Sequence, residues 1–173
     1  MVWTTFMRVI MRKYVFYDTD FYGTEERDIR GEEYEKLIRI CCKYSSVLCL
    51  KYLDVSVQAY SNLMEFEITK PENILIGTSN DRGCFEKRYY KVCPQLCAAL
   101  LNVADGMFEW LNGWGFKNPE NPIFYRSDGT IFFMSEIHDG VCAIMPREDE
   151  DIDELLHTIK WYTGDDIRSW PPA

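Results

Sequence analysis

His138 is the residue of this sequence whose neighbours best suit acid–base chemistry. Glu136 stands two positions before it in a β-rich segment, and alternate residues of a strand point to the same face. A histidine beside a carboxylate is the minimum arrangement for acid–base catalysis. Cys142 lies across the following turn, but the sequence places no Ser or Cys nucleophile to complete a triad. We therefore interpret His138 as a turn residue, and we keep Glu136 and His138 as candidate contacts for a partner.

Two aspartates follow the first hydrophobic run of the chain. The segment KYVFYDTDFYGT, which carries Asp18 and Asp20, resembles the first motif of haloacid-dehalogenase-type phosphohydrolases. In that family the first aspartate is the nucleophile and the second is an acid/base, so the resemblance implies these catalytic roles for Asp18 and Asp20. The segment ILIGTS, with Thr78 and Ser79, is similar to the second motif of the same family.

A third acidic segment adds to this resemblance. The segment YTGDD, with Asp165 and Asp166, resembles the acidic metal-binding motif of the family. The resemblance implies a parallel sheet and an Mg²⁺ ion that joins the carboxylates to phosphate. Three features depart from the family. Tyr22 replaces the expected Thr or Val, Asp165 follows a predicted helix instead of a strand, and two Asp-Gly hairpins predict an antiparallel sheet instead of a parallel one. A small Mg²⁺-dependent phosphohydrolase is therefore the alternative function.

Acidic residues are concentrated near the C-terminus, in a run made of Glu148, Asp149, Glu150, Asp151, Asp153 and Glu154. Acids in the first turn of a helix complement its dipole by about 0.3–1 kcal/mol each. One or two acids are enough for that role, and adjacent negative charges repel one another. The run is interpreted either as the start of a helix or as a contact patch for a basic partner. Arg126, Glu136 and His138 join it as candidate partner contacts.

Hydrophobic periodicity and turn residues predict the secondary structure. Apolar spacing predicts helices over residues 31–43, 94–111 and 148–162, with a slight preference for helix over 57–66. Short β-rich runs predict strands over residues 14–17, 46–53, 73–77 and 84–92.

Two Asp-Gly pairs predict the C-terminal architecture. They separate β-rich runs at residues 123–126, 130–138 and 141–145, and Asp-Gly in that position is a strong hairpin signal. These runs therefore predict a three-stranded antiparallel meander. We expect a single α+β domain over residues 1–173. Its antiparallel sheet includes this meander and packs on the long apolar helix predicted over residues 94–111 and on the C-terminal helix predicted over 148–162. Residues 1–10 are expected to be a dispensable extension.

Composition and charge narrow the classes of partner. The net charge of −9 disfavours nucleic acid, which binds to a basic face. No apolar run reaches the ~20 residues of a membrane span, and the N-terminus lacks a signal-peptide core, so we expect a cytoplasmic protein without membrane contact. The seven cysteines lie mostly in apolar runs, without zinc spacing, and are predicted to be buried thiols. We expect no metal and no cofactor.

These features together favour a protein-binding function over an enzymatic one. The segment FYRSDGTIFFMSEIHDG, residues 124–140, is similar to a recurrent segment of small bacterial cytosolic proteins, and that resemblance implies no activity. The size, acidity and aromatic content fit an interaction domain. Its most specific form is an immunity-type protein, which binds and blocks a cognate toxin. A subunit that assembles with copies of itself through an aromatic surface is a further alternative.

Overall fold

The computed structural model describes residues 13–17, 27–52, 62–74, 86–108 and 119–163, which form seven β-strands and three α-helices. In chain order these elements are β1 (Tyr14–Tyr17), α1 (Glu32–Tyr44), β2 (Val47–Tyr52), β3 (Glu67–Ile68), β4 (Glu86–Lys91), α2 (Pro94–Leu101), β5 (Glu120–Tyr125), β6 (Ile131–Glu136), β7 (Val141–Ile144) and α3 (Asp153–Thr158). The expected α+β class is confirmed for these residues.

The seven strands form one sheet in the order β1-β7-β6-β5-β2-β4-β3. The predicted meander is confirmed, because β5, β6 and β7 are neighbours and pair antiparallel. β1 pairs with β7, with Tyr14 opposite Ile144 and Tyr17 opposite Val141. The parallel sheet that the phosphohydrolase resemblance implies is wrong for the described strands, since each of their pairings is antiparallel.

The turn between β5 and β6 shows why an Asp-Gly pair stands there. Gly129 has a φ of +83°, a conformation that L side chains rarely adopt, and its amide donates to the carbonyl of Arg126 at 3.0 Å. A Cβ atom at this position would lie only 2.2 Å from the carbonyl oxygen of Asn73. Glycine is therefore required here by both the backbone conformation and the close approach of a neighbouring segment.

The two faces of the sheet are both buried. On one face, alternate strand residues such as Leu48, Phe124 and Ile144 pack together with side chains from all three helices. α1 contacts α2, α3 and β6, so it is the central helix of this layer. The opposite face is also apolar and includes Cys49 and Ala143.

The long apolar helix predicted over residues 94–111 is shorter than expected, because α2 ends at Leu101. After this point the chain pairs with the segment that precedes α1, where the amide of Met107 donates to the carbonyl of Ile29 at 2.9 Å. Residues in this pairing cannot also make the hydrogen bonds of a continuing helix. Residues 109–111 lie outside the described part of the chain.

The C-terminal helix is also shorter than the predicted span of 148–162. Residues 147–150 form a turn in which the amide of Glu150 donates to the carbonyl of Arg147 at 3.1 Å. At the other end, α3 stops at Thr158, and Tyr162 makes an antiparallel bridge with Val15, with backbone hydrogen bonds of 2.9 and 2.8 Å. Both ends of the predicted helix therefore take part in other backbone contacts, and α3 retains six residues.

The remaining predictions agree with the described elements to different degrees. The predicted helix 31–43 and the strands 14–17, 46–53 and 84–92 correspond to α1, β1, β2 and β4, whose ends differ by at most one residue where they are described, while residues 53, 84 and 85 lie outside the description. Only Met64–Phe66 of the predicted helix 57–66 is helical among its described residues, as a short 3-10 helix. Asn73 and Ile74 are not in a strand, and residues 75–77 lie outside the description. Among the described residues, no helix is long and apolar enough to cross a membrane.

Candidate partner-binding site

The acidic run is held in place by one buried ion pair. The guanidinium of Arg126 donates two hydrogen bonds of 2.6 Å to the two carboxylate oxygens of Glu150, and the side chains are only 4% and 8% exposed. Arg126 also donates to the carbonyls of Ile131 at 2.6 Å and Met145 at 2.7 Å. The pair therefore fixes the segment after β7 against the hairpin of β5 and β6. Arg126 and Glu150 contact each other inside the protein, and little of either side chain reaches solvent.

The ionisation of Glu150 follows from these contacts. Burial acts to raise its pKa, but the hydrogen bonds from Arg126 and from the backbone amide of Arg147 outweigh burial and lower the pKa below its usual value. The carboxylate is therefore charged at neutral pH, and the two ions neutralise each other.

The other five acids of the run are exposed, and we call them the acidic ridge: Glu148, Asp149, Asp151, Asp153 and Glu154. The ridge lies beside α1. The hydroxyl of Tyr44 accepts a hydrogen bond from the amide of Asp151 at 2.9 Å. Glu154 is 3.3 Å from the ammonium of Lys36, with both side chains partly in solvent. The acids are adjacent in the sequence, and in the structure all five are exposed to solvent.

Arg147 is a cation at the base of the ridge, and its charge is already neutralised by a neighbouring turn. Its guanidinium forms a short ion pair with Asp128 and donates to the hydroxyl of Thr130 at 2.9 Å. The hydrogen bond from Arg147 is the main reason why the pKa of Asp128 is held well below its usual value. Arg147 therefore does not neutralise the acidic ridge itself.

A pocket of about 280 Å³ opens beside the acidic ridge, lined by Tyr14, Pro146, Arg147, Glu148, Glu150, Ile152, Asp153 and Leu156. Its lining combines apolar side chains with carboxylates. Lysine and arginine have the same two parts, an apolar stem and a charged end, and they often lie along apolar surface with the charge in water. The pocket is large enough to accept one such side chain. The apolar residues of the pocket were not predicted, because only the fold brings Tyr14 and Ile152 to one pocket.

Glu136 belongs to a different cluster, on the sheet. Its carboxylate lies 3.3 Å from the ammonium of Lys51 and accepts a hydrogen bond of 2.8 Å from the amide of Asn121. The side chains of Lys51 and Glu136 are 4% and 13% exposed. In the β2–β5 register Lys51 stands opposite Glu120, which is buried as well. The cluster joins β2, β5 and β6, and it covers most of the Glu136 side chain.

Lys51 was not among the predicted site residues, although the sequence carries a signal for it. Lysine is almost never fully buried without a partner, and here it stands in the otherwise apolar run VLCLKY. A charged residue in such a run predicts an opposite charge on a neighbouring strand. His138 lies in the short 3-10 helix Ile137–Asp139, but its side chain is outside the description, so its pairing with Glu136 stays a prediction.

The residues of the alternative phosphohydrolase site are Asp18, Asp20, Thr78, Ser79, Asp165 and Asp166, and all of them lie outside the described residues. Within the part of the chain that the structure describes, no group of three or more His, Cys, Asp or Glu side chains is arranged to hold a metal ion. Comparison of the chain with protein-family models, with curated proteins and with solved structures gave no match.

Proposed function

We propose that this protein is a protein-binding domain that recognises a basic segment of its partner through the acidic ridge and the adjacent pocket. The observation that carries the proposal is the difference in burial among the acids of the acidic run. Glu150 is buried and fixes the segment, while the other five acids remain exposed on it. An immunity-type role is the specific form that we favour, in which the ridge covers a basic active site of a toxin.

The position of α3 supports this proposal over the alternative that the acids only serve a helix start. α3 begins at Asp153, and the acids in its first turn are Asp153 and Glu154. Asp151 accepts a hydrogen bond of 3.1 Å from the amide of Asp153, so it also has a local role. Glu148 and Asp149 lie before these residues, beyond the first turn, where the effect of a helix dipole has faded. Their exposure fits a contact role.

Charge acts first on the rate of association. Complementary charges steer two proteins together and raise the association rate by about 10- to 1,000-fold, and added salt weakens this effect. The pocket then supplies specificity, because a partner lysine or arginine can place its stem on Ile152 and Leu156 and its charge near Glu148. The proposal therefore requires both a fast, salt-sensitive association and a preference for one inserted basic side chain.

The test compares two charge-matched variants. The ridge variant carries Glu148→Gln and Asp149→Asn, and the control variant carries Glu65→Gln and Glu72→Gln, at exposed positions outside the ridge. Each removes two negative charges, so net charge is the same in both. Affinity capture from a native lysate with the wild-type protein supplies the partner, and association kinetics are then measured at low and high salt.

We expect the ridge variant to associate several-fold more slowly and with a weaker salt dependence, while the control stays close to wild type. If both variants associate equally with the captured partner, the ridge is not the interface. If the wild-type protein captures no basic partner and hydrolyses a generic aryl phosphate with Mg²⁺, and Asp18→Asn abolishes that hydrolysis, the alternative function replaces the proposal.

A further inference from the structure

A groove lies between α1 and α2, and it shares no lining residue with the pocket beside the acidic ridge. Its volume is about 660 Å³, compared with about 280 Å³ for that pocket. Sites for small molecules enclose about 300–1,000 Å³ and are lined mostly by apolar groups. A stable protein interface instead needs about 800 Å² of surface from each partner. The groove therefore has the size of a small-molecule site, and the protein-binding proposal does not use it.

The floor of the groove is apolar and open to solvent. Val92, Pro94, Ala98 and Leu101 line it, from the end of β4 along the length of α2. Pro94 and Ala98 are exposed, while Val92 and Leu101 are half-buried and pack against the core. An alkyl chain laid on these side chains would remove apolar surface from water on both sides of the contact, which is favourable.

One wall of the groove is positively charged. Arg39 and Lys43 stand one turn apart on α1, and the described lining contains no carboxylate, although the chain as a whole carries a net charge of −9. The guanidinium of Arg39 donates hydrogen bonds of 2.6 and 2.8 Å to a single carboxylate oxygen of Glu35. The two side chains are 60% and 50% exposed, and such a surface pair is weak enough to exchange for another carboxylate.

Lys43 is the second cation of this wall. Its ammonium lies 4.7 Å from the centroid of the Tyr44 ring, and within the described part of the chain it has no ion pair. A negative group at the groove would therefore gain an attraction to Lys43 without first breaking an existing ion pair.

We infer that the groove binds a medium-chain carboxylic acid, with the alkyl chain along α2 and the carboxylate at Arg39 and Lys43. Charge complementarity selects the headgroup, and Glu35 shows that a carboxylate fits the guanidinium of Arg39. The eight residues of α2 extend over about 12 Å, which favours a chain of about eight to ten carbons over a longer one. This ligand-binding function is additional to the protein-binding proposal and does not depend on the acidic ridge.

Calorimetric titration of the full-length protein tests the inference, with decanoate, octanoate and octanol as probes at concentrations below those at which they aggregate. We expect saturable binding of one decanoate per chain. Each buried methylene strengthens binding about fourfold, so octanoate should bind up to roughly 15-fold more weakly than decanoate. Octanol has the same chain length as octanoate and no charge, so it should bind several-fold more weakly than octanoate.

A pair of bulky variants locates the alkyl chain. Ala98→Trp places a large side chain in the groove, and Gln95→Trp is the matched control, because Gln95 is exposed on the same helix and does not line the groove. We expect decanoate binding to be lost in Ala98→Trp and kept in Gln95→Trp. Melting curves check that both variants are folded.

A pair of charge variants locates the carboxylate. The groove variant carries Arg39→Gln and Lys43→Gln, and the control carries Lys70→Gln and Lys160→Gln, at exposed positions outside the groove. Each removes two positive charges, so net charge is the same in both. We expect decanoate to bind several-fold more weakly to the groove variant, while octanol binds equally to both, because octanol does not use the cations.

Three results would overturn the inference: no saturable binding of decanoate to the wild-type protein, equal affinity for octanol and octanoate, or equal decanoate binding by Ala98→Trp and Gln95→Trp. Sedimentation of the same proteins identifies the other occupant. A dimer that Ala98→Trp dissociates, in a protein that binds no decanoate, would show that a second copy of the chain covers the groove. These variants leave the acids of the ridge in place, so a failure here is distinct from a failure of the protein-binding proposal.

Discussion

Replacing Glu150 with glutamine is expected to destabilise the protein far more than replacing any acid of the ridge. The change keeps the shape of the side chain and removes its charge. Arg126 would then remain a buried cation with two carbonyl partners and no counter-ion. Breaking a buried ion pair by removing one partner costs about 3–5 kcal/mol. For a domain of this size, about 2–4 °C of melting temperature is lost per kcal/mol, so the melting temperature should fall by roughly 6–20 °C.

The measurement is thermal and urea unfolding of Glu150→Gln beside Glu148→Gln as the matched control. Glu148 is exposed, so its variant should stay within about 0.5 kcal/mol of wild type. If the two variants are equally stable, Glu150 does not fix the ridge, and the structural distinction between Glu150 and the exposed acids of the run is refuted.

The acid dependence of unfolding gives the same pair a second test. The pKa of Glu150 is lower in the folded protein than in the unfolded chain, where glutamate has a pKa of about 4.3. The contribution of the pair is therefore complete above that value and disappears as the pH falls through the folded pKa. The stability difference between wild type and Glu150→Gln should shrink below about pH 4, and a difference that is constant from pH 7 to pH 3 would contradict this. In the sheet cluster, Lys51→Met should lower the free energy of unfolding by about 3–5 kcal/mol, because it leaves the carboxylate of Glu136 without its cation, and adding Glu136→Leu should restore part of that loss. Urea unfolding of the single and double variants measures both effects, and no recovery in the double variant would argue against the pairing. In α2, Leu100→Ala should lower the free energy of unfolding by about 2–5 kcal/mol, because that side chain is fully buried, whereas Gln95→Ala, at an exposed position, should change it little. Equal shifts in melting temperature for the two variants would overturn the assigned helix face.

Six of the seven described strands were predictable from sequence because their signals are local, whereas β3, Glu67–Ile68, was not predicted. Alternating apolar residues and the Asp-Gly turn at Gly129 act over a few residues, and the meander follows from them. The helix ends were not predictable in the same way. α2 stops where Met107 pairs with Ile29, and that contact joins residues far apart in the chain. Local apolar spacing continues past the point where such a pairing ends the helix.

The candidate site was likewise predictable only where its features are local in the sequence. The acidic run is visible in the sequence, and its density alone suggests a binding patch. The sequence does not indicate that Glu150 differs from Glu148, because the difference comes from Arg126, which is brought close by the hairpin. The buried partner of Glu136 is likewise on a distant strand, at Lys51. Ionic contacts across a sheet depend on register, which single-sequence patterns do not specify.

The pairing of β1 with β7 has a consequence for synthesis on the ribosome. Tyr17 stands opposite Val141, so the first strand leaves the exit tunnel long before its partner exists. At roughly 5–20 residues per second, the wait over roughly 125 residues is about 6–25 seconds. During that interval the strand YVFY has no β7 to pair with, and its apolar side chains lack their native contacts. This edge of the sheet is thus completed only after β7 has been made, and Tyr162 then pairs with Val15 of β1.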